Sequence, residues 1–402
     1  MSSVDAVPST DAVRDLPARV YDRLFAGRSR IQQAVIGVSL AALLALVAAG
    51  LLAPGSTPGR LFAVLTASST LASTLRLSVP IAFAALGGIF AEKSGVINIG
   101  LEGLLIISAF TGVWATDITG SVWYGLLGGV VASTLLALLF AVVCIEFRAD
   151  QIIAGLAVWL IALGLAPFLS SVIYGSKNTV SVDTFPTLPD MGIPFVSEFV
   201  TTELGFVLDL PDVGAFDVPV LGVVDLVPDM LDLQSSLAGL PFFGALFSAA
   251  PPVYLMFAAV AVSWYALNRT SFGRWVEASG ENPKALDTAG VNVTRVRYVA
   301  VLLSGVLAGV GGAALALGIG QFTGNGPTMV NGKGFIAIVA YLFGNYNPVG
   351  ALASTMLFAG LDATQLTLQA RDVFQVPAEL VRTIPYVTVI VVLALFGRTR
   401  LP

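Results

Sequence analysis

Residues 91–103 read AEKSGVINIGLEG. The stretch falls where the apolar run 61–91 gives way to the run 99–116, yet it holds Glu92, Lys93, Asn98, Glu102 and the glycines at 95, 100 and 103. A continuous membrane helix has no use for this mixture, because charges are costly in hydrocarbon and glycine loosens a helix. Non-helical backbone at membrane depth is tolerated only where it is buried in protein or lines a cavity. The stretch therefore reads as a break between two spans. If 98–102 is helical, Asn98 and Glu102 share a face. Glu102 then either faces a polar path or serves structure, bonding freed backbone groups or pairing with Lys93.

The rest of the chain supports a membrane reading. Of 402 residues, 56% are hydrophobic and 11% are charged, against about 25% charged in an ordinary soluble domain. So few charges do not cover a soluble surface, and most of the chain must face lipid or other apolar helices. The chain has no histidine and one cysteine, Cys144. That excludes an internal disulfide, His/Cys zinc sites, Ser-His-Asp hydrolysis and histidine proton relays. Lysine is scarce, 4 against 16 arginines. An acidic, lysine-poor exterior suits a halophile, while arginine-rich codon usage explains the same ratio.

Ten apolar runs stand at 31–53, 61–91, 99–116, 121–145, 151–174, 251–267, 298–320, 334–346, 348–370 and 384–397. They predict an all-α polytopic membrane protein of about ten transmembrane helices, within a range of eight to ten. Residues 61–76 are rich in Ser and Thr and read as an interfacial helix ending at Arg76. The run 334–346 is short for a crossing of about 20 residues and reads as re-entrant. Residues 1–30 form a polar, arginine-bearing region before the first span, and 31–398 form the transmembrane domain.

Charge orients the spans. Arg148 lies in the turn 146–150. Arg269, Arg274, Lys284, Arg295 and Arg297 lie in 268–297, and Arg398 and Arg400 follow the last span. With ten crossings all three groups fall in the cytoplasm with both termini, as the positive-inside rule asks. The loop 175–250, with ten acids and Lys177 as its one base, then falls outside.

Two glycine motifs carry no nucleotide chemistry. Asn331-Gly332-Lys333-Gly334 lacks the first glycine of a P-loop at the required spacing, so the chain reads as no ATPase. Gly309-Val310-Gly311-Gly312-Ala313-Ala314 fits a loose dinucleotide pattern but sits inside an apolar run. Gly305 and Gly309 make a small-residue face for close helix approach instead.

Residues 272–297, FGRWVEASGENPKALDTAGVNVTRVR, place a short helix on the cytoplasmic side. Asn282 caps it, Pro283 takes its first position and Gly290 stops it. It is either a solvated connector or a docking helix for a soluble partner.

Continued through LLSGVLAGVGGA at 302–313, this segment resembles the coupling region of ATP-binding cassette (ABC) importer permeases for branched-chain amino acids, simple sugars and nucleosides. SGVINIGLEG at 94–103, FRADQIIAGLAVWLIALGL at 147–165, GKGFIAIVAYLFGNYNPVGA at 332–351 and PYVTVIVVLALFGR at 385–398 resemble the family in order. They are most similar to the shorter permease of nucleoside (Bmp-type) importers. The long N-terminal region and the acidic loop depart from the family pattern without touching these motifs.

The resemblance implies one of two permease subunits, working with a cytoplasmic ABC ATPase and an extracellular substrate-binding lipoprotein. It implies no cofactor in this chain, ATP being used by the partner. Coupling to the ATPase then falls to Asn282, Lys284 and Asp287, flanked by Glu277 and Glu281. The polar residues at membrane depth, Asn98, Glu102, Gln151 and Asn345, are the candidates for the substrate path. Sugar or branched-chain amino acid import is the alternative within the class. An ion-coupled secondary transporter fits the hydropathy equally well, with Glu102 and Asp362 as its available carboxylates and no duplicated half evident. No constellation for an intramembrane enzyme exists.

Overall fold

A computed structural model describes residues 44–185, 216–218, 222–224, 244–247, 249–326 and 328–370. Two compact units divide the chain at Thr66/Ala67 and Leu366/Thr367. In the smaller, helical backbone at 44–52 leads through a turn to α1 (Thr57–Leu65). Ser56 caps α1 by accepting from the Gly59 amide at 3.1 Å.

The larger unit begins with α2 (Ser68–Lys93), α3 (Leu101–Thr119), α4 (Val122–Ala141) and α5 (Gln151–Tyr174). The predicted interfacial helix at 61–76 is not observed as such. Helix α1 stops at Leu65 and α2 runs unbroken through Arg76. Within the acidic loop a three-residue antiparallel pair, β1 (Phe216–Val218) with β2 (Gly222–Val224), is the only sheet among the described residues. The chain continues as α6 (Gly244–Phe247), α7 (Pro251–Arg269), α8 (Ser271–Glu281), α9 (Pro283–Thr288), α10 (Val293–Leu317), α11 (Lys333–Phe343) and α12 (Pro348–Ala370).

The protein is an all-α polytopic membrane protein. Five described helices are long and apolar enough to cross a membrane: α2, α3, α4 with its π-helical extension to Glu146, α5 and α10. Helices α7 and α12 form over two more of the ten predicted runs. Helix α11, with 11 residues, is only about 16 Å long, half of a ~30 Å hydrocarbon core. The run 384–397 and most of 31–53 lie outside the described residues.

Burial sorts the helices. The apolar window of α2 is 83% buried and that of α5 only 28%, so α2 belongs to the centre and α5 to the rim. Helix α10 is the other central element, packed on α2, α3 and α4. A Cβ at Gly309 would stand 2.7 Å from Val130 Cα, and one at Gly312 would stand 2.3 Å from Leu105 O. Glycine lets these backbones touch. Hydroxyls then tie the contact, with Ser133 donating to Gly305 O at 2.8 Å and Ser108 donating to Gly309 O. In lipid, such close packing and interhelical hydrogen bonds hold helices together.

The turn before α5 shows what FRADQ does. Arg148 takes a left-handed φ of 52°. Asp150 caps α5, accepting from the Ile152 and Ile153 amides at 2.9 and 3.0 Å. Asp150→Ala removes this cap and is expected to cost about 1 kcal/mol of stability, read as a lower thermal midpoint in detergent. An unchanged midpoint would remove the cap from the account of this turn.

Candidate functional site

The backbone between α2 and α3 leaves the helix at Ser94 and re-enters it at Leu101. Residues 98–102 are thus not one helical turn, and Asn98 and Glu102 do not share a helical face. Buried backbone groups need partners, and here side chains supply them. Gly95 turns the chain at φ 90°. Gln151 accepts from the Ile97 amide at 2.7 Å and donates to Gly95 O at 3.4 Å. Asn98, 1% exposed, accepts from the Gly100 amide at 3.0 Å and donates to Ser304 Oγ of α10 at 3.0 Å.

Glu102 is 2% exposed. Its carboxylate accepts from the Gly332 amide at 2.8 Å and the Gly334 amide at 2.6 Å. Both donors belong to the start of α11, and Glu102 itself sits in the first turn of α3. One carboxylate therefore lies at two helix N-termini, where orphan N–H groups and the helix dipoles favour negative charge. A Cβ on Gly334 would stand 2.4 Å from Glu102 N, so the two helix starts meet backbone on backbone. Lys93 does not pair with Glu102. It reaches Glu277 at 3.2 Å, at the other end of the break.

The second break mirrors the first. Residues 318–326 and 328–332 follow α10 without helix and run back along α3, with Phe322 against Phe110 (ring centroids 5.6 Å apart) and Gly332 at Glu102. Helix α11 continues from there to the end of α2. At its far end the Tyr341 and Tyr346 hydroxyls both donate to Glu92. Asn345 lies beside them in an exposed turn, at φ 51°, away from Asn98, Glu102 and Gln151.

Sequence reasoning passed over Lys333, Ser304, Glu92 and the two tyrosines. Lys333 is 8% exposed and donates to Val330 O at 3.3 Å. It feels Asp362 of α12 and Glu102 electrostatically. Its signal was Asn331-Gly332-Lys333-Gly334, the fragment dismissed as a failed P-loop.

The segment α8–α9 carries the predicted coupling residues. Val276 and Leu286 anchor it in an apolar cluster with Val296 and Ala300. Asn282 accepts from the Ala285 amide at 3.1 Å, capping α9, and Gly290 follows its end at φ 80°. Glu277, Glu281, Asn282, Lys284 and Asp287 are all exposed. Trp275 of α8 is exposed as well.

A cavity of about 440 Å³ opens at the opposite end of the unit, between α2, α7 and α10. Arg76, Ser69, Ser73 and Thr184 are its polar wall. None of Asn98, Glu102, Gln151 and Asn345 lines it. Among the described residues no cluster of His, Cys, Asp or Glu suits a metal.

No solved structure matches the chain. Over 339 residues, 82% of this chain and 92% of the relative, it is 34% identical to the guanosine ABC transporter permease protein NupQ of Bacillus subtilis. It is 33% identical to the nucleoside ABC transporter permease protein NupC of Lactococcus lactis, over 81% of this chain and 91% of the relative. It is 30% identical to a putative glucose ABC transporter permease protein, TsgC13, of Haloferax volcanii, over 82% and 91%. The family model described as branched-chain amino acid transport system / permease component matches residues 70–393, and the chain belongs to that family of multi-pass membrane permeases.

Proposed function

We propose that this chain is the permease subunit of an ABC importer for nucleosides, providing the translocation path while separate subunits bind the solute and hydrolyse ATP. The observation that carries the reading is the identity with NupQ and NupC across four fifths of the chain. The geometry supports it. Two broken helices meeting in a buried polar contact belong to a protein that must open a route through lipid. A nucleoside cannot take that route unaided, since each unsatisfied polar group costs about 2–7 kcal/mol in an apolar medium.

On this reading, 1–30 and the C-terminus lie in the cytoplasm with 268–297, and the acidic loop 175–250 faces outward toward a substrate-binding lipoprotein. An ABC ATPase docks on Glu277, Glu281, Asn282, Lys284 and Asp287, and a second permease completes the path beside Asn98, Glu102, Gln151 and Asn345. The chain itself holds no cofactor. The glucose permease relative favours a sugar as the second reading.

The test is uptake by proteoliposomes holding the whole transporter. Labelled guanosine is expected to accumulate with ATP, and labelled glucose or leucine is not. Accumulation without the ATPase overturns the importer reading, and glucose uptake in place of guanosine replaces the substrate. Asn98→Ala, which frees Ser304 and the Gly100 amide, is expected to lower guanosine uptake about tenfold, equivalent to about 1.4 kcal/mol. Unchanged uptake and ATPase coupling in both Asn98→Ala and Glu102→Gln would sink the path assignment.

A further inference from the structure

Three consecutive residues at the end of α2 each hold a different part of the protein. Both carboxylate oxygens of Glu92 are taken, one by Tyr341 of α11 and one by Tyr346 of the following turn, the latter at 2.8 Å. Lys93 pairs with Glu277 of α8 at 3.2 Å. Ser94 O accepts from Ser279 Oγ of α8 at 3.0 Å and from Arg297 Nε of α10 at 3.3 Å. The contact with α8 is close as well as polar. A Cβ on Gly280 would stand 2.4 Å from Lys93 O, and Phe90 of α2 meets Phe272 of α8 at 6.3 Å between ring centroids.

The backbone is bent to make the Glu92 contact. Asn345 and Tyr346 both take left-handed φ, 51° and 55°, and a bulky residue rarely adopts that conformation. The turn aims Tyr346 back at α2, where Tyr341, 1% exposed, already lies on Gly88. Glu102 holds the other end of α11. The segment 92–102 therefore grips α11 at both ends and α8 in between.

We propose that residues 92–94 are the joint that carries motion of α8–α9 to α11, so that the half-helix moves with the surface on which the ATPase docks. The proposal rests on the importer reading above. Glu92, Lys93, Tyr341 and Tyr346 are positioning residues in it. A shift of α8 is imposed on 93–95 by backbone contact, and through Glu92 and Glu102 it reaches both ends of the half-helix. A purely structural cap at 92–94 would lower uptake and ATP hydrolysis together when weakened.

The readout is labelled guanosine taken up per ATP hydrolysed, in proteoliposomes of the whole transporter. Lys93→Glu is expected to lower this ratio about tenfold, within the range of coupling between linked sites, while hydrolysis continues. The pair is partly exposed, so breaking it disturbs folding little. Tyr341→Phe with Tyr346→Phe, neither of them a docking residue, is expected to lower the ratio equally with hydrolysis intact. An unmoved ratio in Lys93→Glu, or hydrolysis lost in step with uptake, would overturn the joint. Should the double tyrosine variant fail to assemble, Lys93→Glu decides. A wild-type transporter without ATP-driven guanosine uptake would instead overturn the importer reading itself.

Discussion

Gly334→Ala is expected to leave no correctly assembled protein. The new Cβ would stand 2.4 Å from Glu102 N and 2.5 Å from Glu102 Cα. Both neighbours are backbone, so neither can swing aside. Overpacking of this kind costs about 1–3 kcal/mol. Pushing α11 off α3 also stretches two charge-assisted hydrogen bonds, worth about 1.5–3 kcal/mol each. The total, about 5 kcal/mol, equals the whole stability of a marginal protein. Size-exclusion chromatography of the detergent-solubilised variant is expected to lose the monodisperse peak. A normal peak and thermal midpoint would show that α11 and α3 do not meet backbone on backbone.

Glu102→Ala is expected to act at the same contact from the other side. It leaves the Gly332 and Gly334 amides bare, each at about 1–3 kcal/mol, for a loss near 4 kcal/mol. Glu102→Gln keeps one acceptor oxygen and is expected to lose about half as much. Thermal unfolding in detergent orders the three proteins as wild type, Gln, Ala. Equal midpoints for Gln and Ala would mean that the side chain does not bridge two donors. The series also separates structure from transport, because a Gln variant that folds yet takes up no guanosine places Glu102 in the path as well as in the scaffold.

The break at 94–100 is legible in the sequence because glycine and charge have no place in a spanning helix. So is the α9 cap, since Asn-Pro followed by a helical run and Gly290 is a local pattern. The close face of Gly305 and Gly309 follows from spacing alone. Partners remote in sequence are not legible in this way. Lys93 lies nine residues from Glu102, which makes that pairing tempting, yet Glu277, 184 residues on, takes it. The donors to Glu102 come from a fragment that resembles a damaged phosphate loop; the short run after it reads as re-entrant, but nothing in it announces that its first amides meet Glu102. Gln151 reads as a polar residue at membrane depth. Its work, closing the open backbone at Gly95 and Ile97, exists only once α5 lies beside the break. Gly344 marks the end of α11, but nothing marks Asn345 and Tyr346 as the left-handed residues that follow it.

The bridge at Glu102 also sets an order in time. Its two donors lie 230 and 232 residues further along the chain. A ribosome adding about 5–20 residues per second reaches them roughly 10 to 50 s after Glu102 has emerged. Throughout that interval the first spans sit in the membrane with a carboxylate whose final partners have not been made. A chain cut short before Gly332 lacks both donors and leaves that carboxylate without them for good.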